Sequence, residues 1–359
     1  MGDQGNRITG NQAAGAIQRR ADYFTDLTTG MQDFRHLFII GAPKAGTTTL
    51  AELLARHPWI HQGAQKEPRF FTDFADRTWS GPGCTDFIES MTADLTSYLA
   101  LYAKAPRGSW RLDASTDYLS NATARDRLIE RASTSRVKLI CMLRDPVERV
   151  ISEYRHTLRD LLETLPLRDA LTHEVKRRRE GWQPLFWHLR RSRFQTDVVA
   201  YKAAFGDDML LLDFAELRNP RRLESRIWRF LGLSPASRNT RDKPTADSKA
   251  PVRNESRNYR SPALQHTLFS PTLRRTARLI APRALRQWLR LRLERANRTR
   301  FQPDEADLRF IFKALEHDIR ACLADPAIPT DSWALSRRLA RAVADEGDTF
   351  MPPSGQGQW

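Results

Sequence analysis

Cysteine is nearly absent: Cys84, Cys141 and Cys322 are the only three in 359 residues, far apart and without a C-x-x-C pair. That suggests neither a full disulfide set nor a zinc site, and a reducing compartment is the simplest expectation. No run of about 18 apolar residues occurs, and the first residues lack the apolar stretch of a signal peptide, so the chain reads as soluble and cytoplasmic. Asn6 stands where a myristoylation signal needs Ser or Thr. No repeat of about 20 to 50 residues is evident, and nothing resembles an acidic magnesium-holding motif, so no metal is expected. Acidic residues are in deficit, 43 Asp and Glu against 58 Lys and Arg, for a formal charge of +15. Such a balance favours acidic partners (a nucleotide, a sulfated or uronate glycan, nucleic acid, an anionic membrane) without choosing among them.

What is present is a phosphate cradle. Phe38, Ile39 and Ile40 form a short apolar run fit for a central parallel strand, and Leu50, Leu53 and Leu54 follow at helical spacing. Between them lies Gly41-Ala-Pro-Lys44-Ala45-Gly46-Thr47-Thr48-Thr49, whose amides can surround an oxyanion at a helix start. A nucleoside-triphosphate loop carries lysine directly after its second glycine; here Thr47 takes that place and the only lysine is Lys44, inside the loop. The bland alternative is a tight strand-to-helix connection. With Pro43, Lys44, Gly46, Thr47 and Thr48, the loop resembles the 5′-phosphosulfate loop of sulfotransferases that use 3′-phosphoadenosine-5′-phosphosulfate.

A second apolar run, Val137 to Leu143, ends at Arg144-Asp145-Pro146, and Pro146 suits the first turn of a helix on which Arg149 and Ser152 share a face. In an open α/β sheet, ligands sit beyond the carboxyl ends of the strands, which makes Arg144 a candidate clamp for a second phosphate with Ser152 as hydroxyl donor. A helix-start ion pair of Arg144 and Arg149 with Asp145 and Glu148 is the competing reading. The string Arg144 to Tyr154 resembles the family's 3′-phosphate motif, R-x-x-x-x-R-x-x-S-x-Y. Two motifs in order imply a P-loop-like open parallel sheet flanked by helices, with a basic helical C-terminal extension.

Helical spacing from Ile88 to Tyr102, strands at Trp110 to Ala114 and Met209 to Phe214, and an amphipathic stretch from Phe194 to Phe205 complete an alternating α/β pattern. The expected organisation is an N-terminal arm over 1–33, one domain over 34–335, and a partly disordered tail over 336–359. Within the domain a polar loop over 241–261 precedes an Arg-rich helical segment over 262–300. Thirteen Arg and two Glu lie between Arg253 and Arg300. A solvated face explains them simply, and peripheral contact with an anionic membrane is the sharper reading.

The resemblance carries roles onto further residues. Glu67-Pro-Arg69-Phe70-Phe71 resembles the E-x-x-F-F segment of heparan-type members, which makes Glu67 the expected general base; pairing with Lys66 or Arg69 is its bland alternative. Lys44 would bind the donor and stabilise the leaving phosphate; Ala45, Gly46, Thr47, Thr48 and Thr49 would hold the 5′-phosphate, and Arg144 and Ser152 the 3′-phosphate. Lys249, Arg253 and Asn254 would close over the nucleotide. Asp113-Ala-Ser115-Thr-Asp-Tyr118 resembles the stretch bordering the acceptor, with Lys66, Arg69, Ser115 and Tyr118 as acceptor-side residues. Thr116 replaces a proline there, and Ala114 stands where heparan-type members have a functional lysine. The expected acceptor is a hydroxyl or amine of a glycan or glycolipid, or alternatively a small natural product or lipid alcohol; a P-loop kinase and a non-enzymatic anion-binding module are the rival classes. No nucleic-acid partner is expected, and the oligomeric state stays open.

Overall fold

The computed structural model describes residues 35–235, 258–259, 298–299 and 301–345. The described residues fall into two compact units interleaved along the chain. The first takes 35–143, 177–184 and 196–235; the second takes 144–176, 185–195 and the described residues beyond 252.

The first unit is built on five parallel strands, β1 (Arg35–Gly41), β2 (Ile60–Gln62), β3 (Trp110–Asp113), β4 (Arg136–Leu143) and β5 (Met209–Asp213), in the order β2-β3-β1-β4-β5. Such a sheet is covered on both faces, which is why its central strands read as continuous apolar runs. Leu37 to Ile40 of β1 and Leu139 to Leu143 of β4 are all fully buried. β1 pairs with β3 on one side and β4 on the other, so the loop leaving its carboxyl end emerges at mid-sheet. Helices Thr47–Leu54 (α1), Ala122–Thr134 (α2), Gln195–Phe205 (α3) and Pro220–Leu231 (α4) belong to this unit except for Gln195.

The expected strands appear within a few residues of their predicted bounds, and β2, too short for a period, is an addition. The helix expected from Ile88 to Tyr102 is instead two, Cys84–Glu89 and Leu95–Ala100. Asp94 caps the second by accepting the Ser97 amide at 2.9 Å, and the Thr92 amide between them donates to the Pro68 carbonyl at 2.9 Å. The break serves the neighbouring segment.

In the second unit, helix Pro146–Arg159 (α5) begins with Pro146 at its first position and Asp145 as cap, accepting the Val147 and Glu148 amides at 3.0 and 3.4 Å. Its apolar face (Val147, Val150, Ile151, Tyr154) packs with Ile311, Phe312, Leu315 and Ile319 of helix Glu305–Ala324 (α6) and Leu339 of helix Ala334–Asp345 (α7). Thus α7 runs well into the segment expected to be a tail. Asn258–Tyr259 pairs antiparallel with Arg298–Thr299; otherwise the N-terminal arm, the polar loop and the Arg-rich segment lie outside the described residues.

Ile140 sits in the middle of β4 with no exposed surface. Ile140→Ala is expected to lower unfolding free energy by about 2–5 kcal/mol, read as a lower urea midpoint; a loss under about 1 kcal/mol would contradict its place in a packed core.

Candidate functional site

The loop after β1 is drawn onto the sheet by its own backbone. The Ala42 amide donates to the Met142 carbonyl of β4 at 2.7 Å, and the Ala45 amide to the Ala42 carbonyl at 3.2 Å. Lys44 adopts a left-handed conformation (φ 66°), and Gly46 (φ 81°) is the N-cap of α1. A Cβ at Gly46 would collide with Leu217 and come within 3.0 Å of the Phe214 ring, so glycine is required both by space and by conformation. No side chain caps α1, and no acidic residue stands in its first turn. An N-terminus of this kind keeps its positive end and its amides for an anion.

Thr47 is buried; Thr48 and Thr49 are half-buried. The Thr48 hydroxyl accepts a hydrogen bond from Lys66 Nζ at 2.8 Å, and the same ammonium lies 2.9 Å from Glu67 Oε1. Glu67 Oε2 is paired in turn with Arg69 Nη2 at 2.9 Å. The loop threonine, Lys66, Glu67 and Arg69 are therefore one hydrogen-bonded chain. The ion pairs anticipated as the bland alternative for Glu67 both exist, and one continues to the phosphate loop.

Arg69 is the most constrained member. Its φ is 55°, a conformation costing a bulky residue on the order of 1 kcal/mol. Its amide donates to Ser115 Oγ at 2.9 Å, and its carbonyl accepts from the Thr72 amide and hydroxyl at 3.0 and 2.7 Å. The guanidinium donates to Asp117 Oδ2 at 2.7 Å, to Ser90 Oγ at 3.0 Å and to the Glu67 carbonyl at 3.3 Å, besides its bond to the Glu67 carboxylate. Burial would make its proton easier to lose, but Asp117 and Glu67 outweigh that and hold the charge more firmly than usual.

Ser115 and Tyr118 lie behind this segment and have no exposed surface. Their hydroxyls bond Asp113 at the end of β3: Ser115 Oγ donates to Oδ1 at 2.6 Å and Tyr118 to Oδ2 at 2.8 Å, joined by the Ser115 amide at 3.0 Å and the Tyr98 hydroxyl at 3.2 Å. Ser115 and Tyr118, expected on the acceptor side, are thus both enclosed and support Arg69 and Phe71 from behind. Burial pushes the Asp113 carboxyl up to about 6, against the pull of those four donors. Asp113 and Asp117 were within the segment singled out by sequence but carried no role; only their enclosure reveals one.

The remaining candidates belong to the second unit or lie outside the described residues. Arg144, the first residue after β4, is half-buried and paired with Glu148 at 2.9 Å, the anticipated helix-start pair. Ser152 is half-buried on α5. Arg149 is fully buried and bound elsewhere: to Glu153 at 2.8 Å, to Ser192 Oγ at 2.5 Å and to the His188 carbonyl at 2.6 Å. Glu153 also accepts from Arg191 at 2.8 Å and contacts His188 at 3.1 Å. Burial alone would raise the Glu153 carboxyl, but the two arginines overcome it and keep it well below the usual carboxylate range. Lys249, Arg253 and Asn254 are outside the described residues. Among the described residues no group of three or more His, Cys, Asp or Glu is placed to hold a metal ion, and no helix is long and apolar enough to cross a membrane.

The model of one domain, the sulfotransferase domain, matches residues 34–248, which is more than half of the chain and contains the phosphate loop, the Glu67 segment and Arg144. The chain belongs to the sulfotransferase domain family. It is 30% identical over 129 residues to heparan sulfate glucosamine 3-O-sulfotransferase 3B1 of Mus musculus, covering 36% of this chain and 28% of that protein. It is 29% identical over 142 residues to the membrane-associated sulfotransferase kil1 of Dictyostelium discoideum, covering 39% and 27%. The chain thus spans little more than a quarter of the length of these relatives. Its fold is similar to the crystal structure of a sulfotransferase from Alicyclobacillus acidocaldarius, with TM-score 0.53 and 29% identity over 59% of this chain and 87% of that one. This sulfotransferase-family sheet carries the cradle at mid-sheet.

Asp113 gives the site a pH signature. Its folded value of about 6 lies above an unfolded value of about 4, so the native state holds a proton that the unfolded state releases. The resulting stabilisation is full below about pH 4 and lost as pH rises through about 6. The stability of the wild-type chain relative to Asp113→Asn is expected to fall over that window by about 2–3 kcal/mol, measured by urea unfolding at each pH. A flat difference would show that the carboxylate is not desolvated as described.

Proposed function

We propose that this sulfotransferase-family chain is an enzyme that transfers a sulfuryl group from 3′-phosphoadenosine-5′-phosphosulfate to an acceptor hydroxyl or amine by in-line displacement. The observation that carries the reading is the chain from Thr48 through Lys66 to Glu67, which ties a carboxylate to the phosphate-binding loop by two contacts of 2.8 and 2.9 Å. A base is thereby one side chain away from the cradle, as proton removal from an attacking hydroxyl requires.

The residues fit the 5′ end of such a donor. The uncapped α1 terminus, the Gly46 position that admits no side chain and the absence of acid in the first turn all suit a doubly substituted phosphate. The donor supplies the sulfuryl group and a phosphate as leaving group. Lys44, Ala45, Gly46, Thr47, Thr48 and Thr49 would hold that phosphate, with Lys44 neutralising charge on the oxygen it releases. From the motif alone, Arg144 and Ser152 are proposed for the 3′-phosphate, and Lys249, Arg253 and Asn254 for the closing loop. Glu67 would accept the acceptor proton. Each of its oxygens is held by one cation, which leaves lone pairs for an incoming hydroxyl.

A carbohydrate or glycolipid hydroxyl is the proposed acceptor, supported by the likeness of the Glu67 segment to heparan-type members. A small natural product or lipid alcohol is the second reading, favoured by Ala114: it has no exposed surface and leaves the lysine of heparan-type members without a counterpart. Peripheral contact of the Arg-rich segment with an anionic membrane is proposed from composition only.

Calorimetry with 3′,5′-adenosine bisphosphate and with ATP separates this reading from a kinase and from a general anion binder. The bisphosphate is expected to bind at least about tenfold more tightly, a difference of ~1.4 kcal/mol, without added magnesium; no binding by the bisphosphate would sink the proposal. Glu67→Gln is expected to keep that affinity while lowering turnover by about 10²–10⁴. Unchanged turnover would remove Glu67 from the role of base.

A further inference from the structure

We propose that Asp117 is a positioning residue for Glu67, acting through Arg69; this rests on the reading of Glu67 as the base. Asp117 has 3% exposure and sits in the turn after β3, on a different element from Glu67. It does not touch Glu67 in any contact described above. Arg69 lies between them, with Nε 2.7 Å from Asp117 Oδ2 and Nη2 2.9 Å from Glu67 Oε2.

Two consequences follow from that geometry. The first is orientation. A guanidinium is planar, so a bond to Asp117 through Nε fixes the direction in which Nη2 is presented. Donation to Ser90 and to the Glu67 carbonyl fixes the other nitrogen, the Phe87 ring lies 5.3 Å from the guanidinium carbon, and the backbone at Arg69 is pinned through Ser115. Arg69 is thus bound to the protein through all three of its guanidinium nitrogens.

The second consequence is charge balance. Lys66, Glu67, Arg69 and Asp117 alternate in sign along one path, and their formal charges cancel. With Asp117 ionised, the Arg69 charge is shared between two carboxylates. Without it, the full cationic charge bears on Glu67 and the guanidinium loses the bond that sets its direction. Among the described residues, Tyr118 beside Arg69 and Asp113, which reaches it through Ser115, are the further titratable groups along the path. Ser90 and Phe87 bring no charge.

The test is ¹³C NMR of the full chain labelled at glutamate δ-carboxyls, at one fixed pH, with the Glu67 signal assigned by its loss in Glu67→Gln. Asp117→Asn is expected to displace the Glu67 signal by more than its linewidth, because Arg69 no longer presents Nη2 in a fixed direction, and Asp117→Glu to return it toward wild type. An undisplaced Glu67 signal in folded Asp117→Asn overturns the proposal. Arg69→Gln provides an independent arm should Asp117→Asn fail to fold: its Glu67 signal must move as well, and an unmoved signal is equally fatal. Neither readout needs an acceptor. Turnover that survives Glu67→Gln would remove the base and leave the coupling between the two carboxylates as measured, so the two failures are distinguishable.

Discussion

The segment from Gly63 to Phe71 has no regular secondary structure, and its shape depends on one guanidinium. Irregular backbone inside a protein must find partners for its polar groups outside helices and sheets. Arg69 provides them from both its main chain and its side chain, reaching the Glu67 carbonyl, Ser90, Asp117 and Ser115. Gln65 adds a bond to the Ser90 carbonyl, and Thr92 donates to both Pro68 and Gln65. The interruption between the two short helices at Ser90 to Asp94 therefore belongs to the same construction. A continuous helix there would use internally the Ser90 carbonyl and the Thr92 amide that this segment requires.

The two units solve the burial of charge in contrasting ways. In the second, Arg149 and Glu153 are fully enclosed, and the ion pair is sustained by Arg191, Ser192 and the His188 carbonyl, which lets α5 hold the 185–195 segment. Removing any one partner of such a network leaves a stranded charge, typically a cost of about 3–5 kcal/mol. In the first, Asp113 is enclosed with hydroxyl and amide donors and, among the described residues, no bonded cation, so its carboxyl rises while Glu153 falls. The nature of the donor, beyond depth of burial, decides the direction.

Much of the fold was legible because its signals are local. The apolar runs of β1, β4 and β5, the glycine-bounded loop and Pro146 at a helix start each depend on a few adjacent residues. The phosphate loop and the Glu67 segment could likewise be read as words. What could not be read was long-range: the segment from Gly63 to Phe71 is supported from far along the chain, with separations of 46 and 48 between Arg69 and its partners Ser115 and Asp117. Nor does periodicity report exposure within an irregular turn, where Ser115 and Tyr118 are fully enclosed. The Arg149–Glu153 pair had a sequence signal, since the two are four apart on one helix, but so did Asp145 and Glu148 nearer its start, and local spacing does not choose among them.

The displaced lysine of the phosphate loop takes on meaning from its surroundings. In a triphosphate loop one lysine after the second glycine faces the terminal phosphates. Here that position is Thr47, enclosed at 4% exposure, while Lys44 is half-buried within the loop and Lys66 reaches the neighbouring Thr48 from another segment. Cationic charge is thus delivered from inside the loop and from its flank, and the flanking cation is itself bound to Glu67. Since Lys66 donates to both Thr48 and Glu67, any anion that drew Lys66 toward the loop would change the company of the carboxylate. Loop and carboxylate share a cation, so occupation of the one is electrostatically felt by the other.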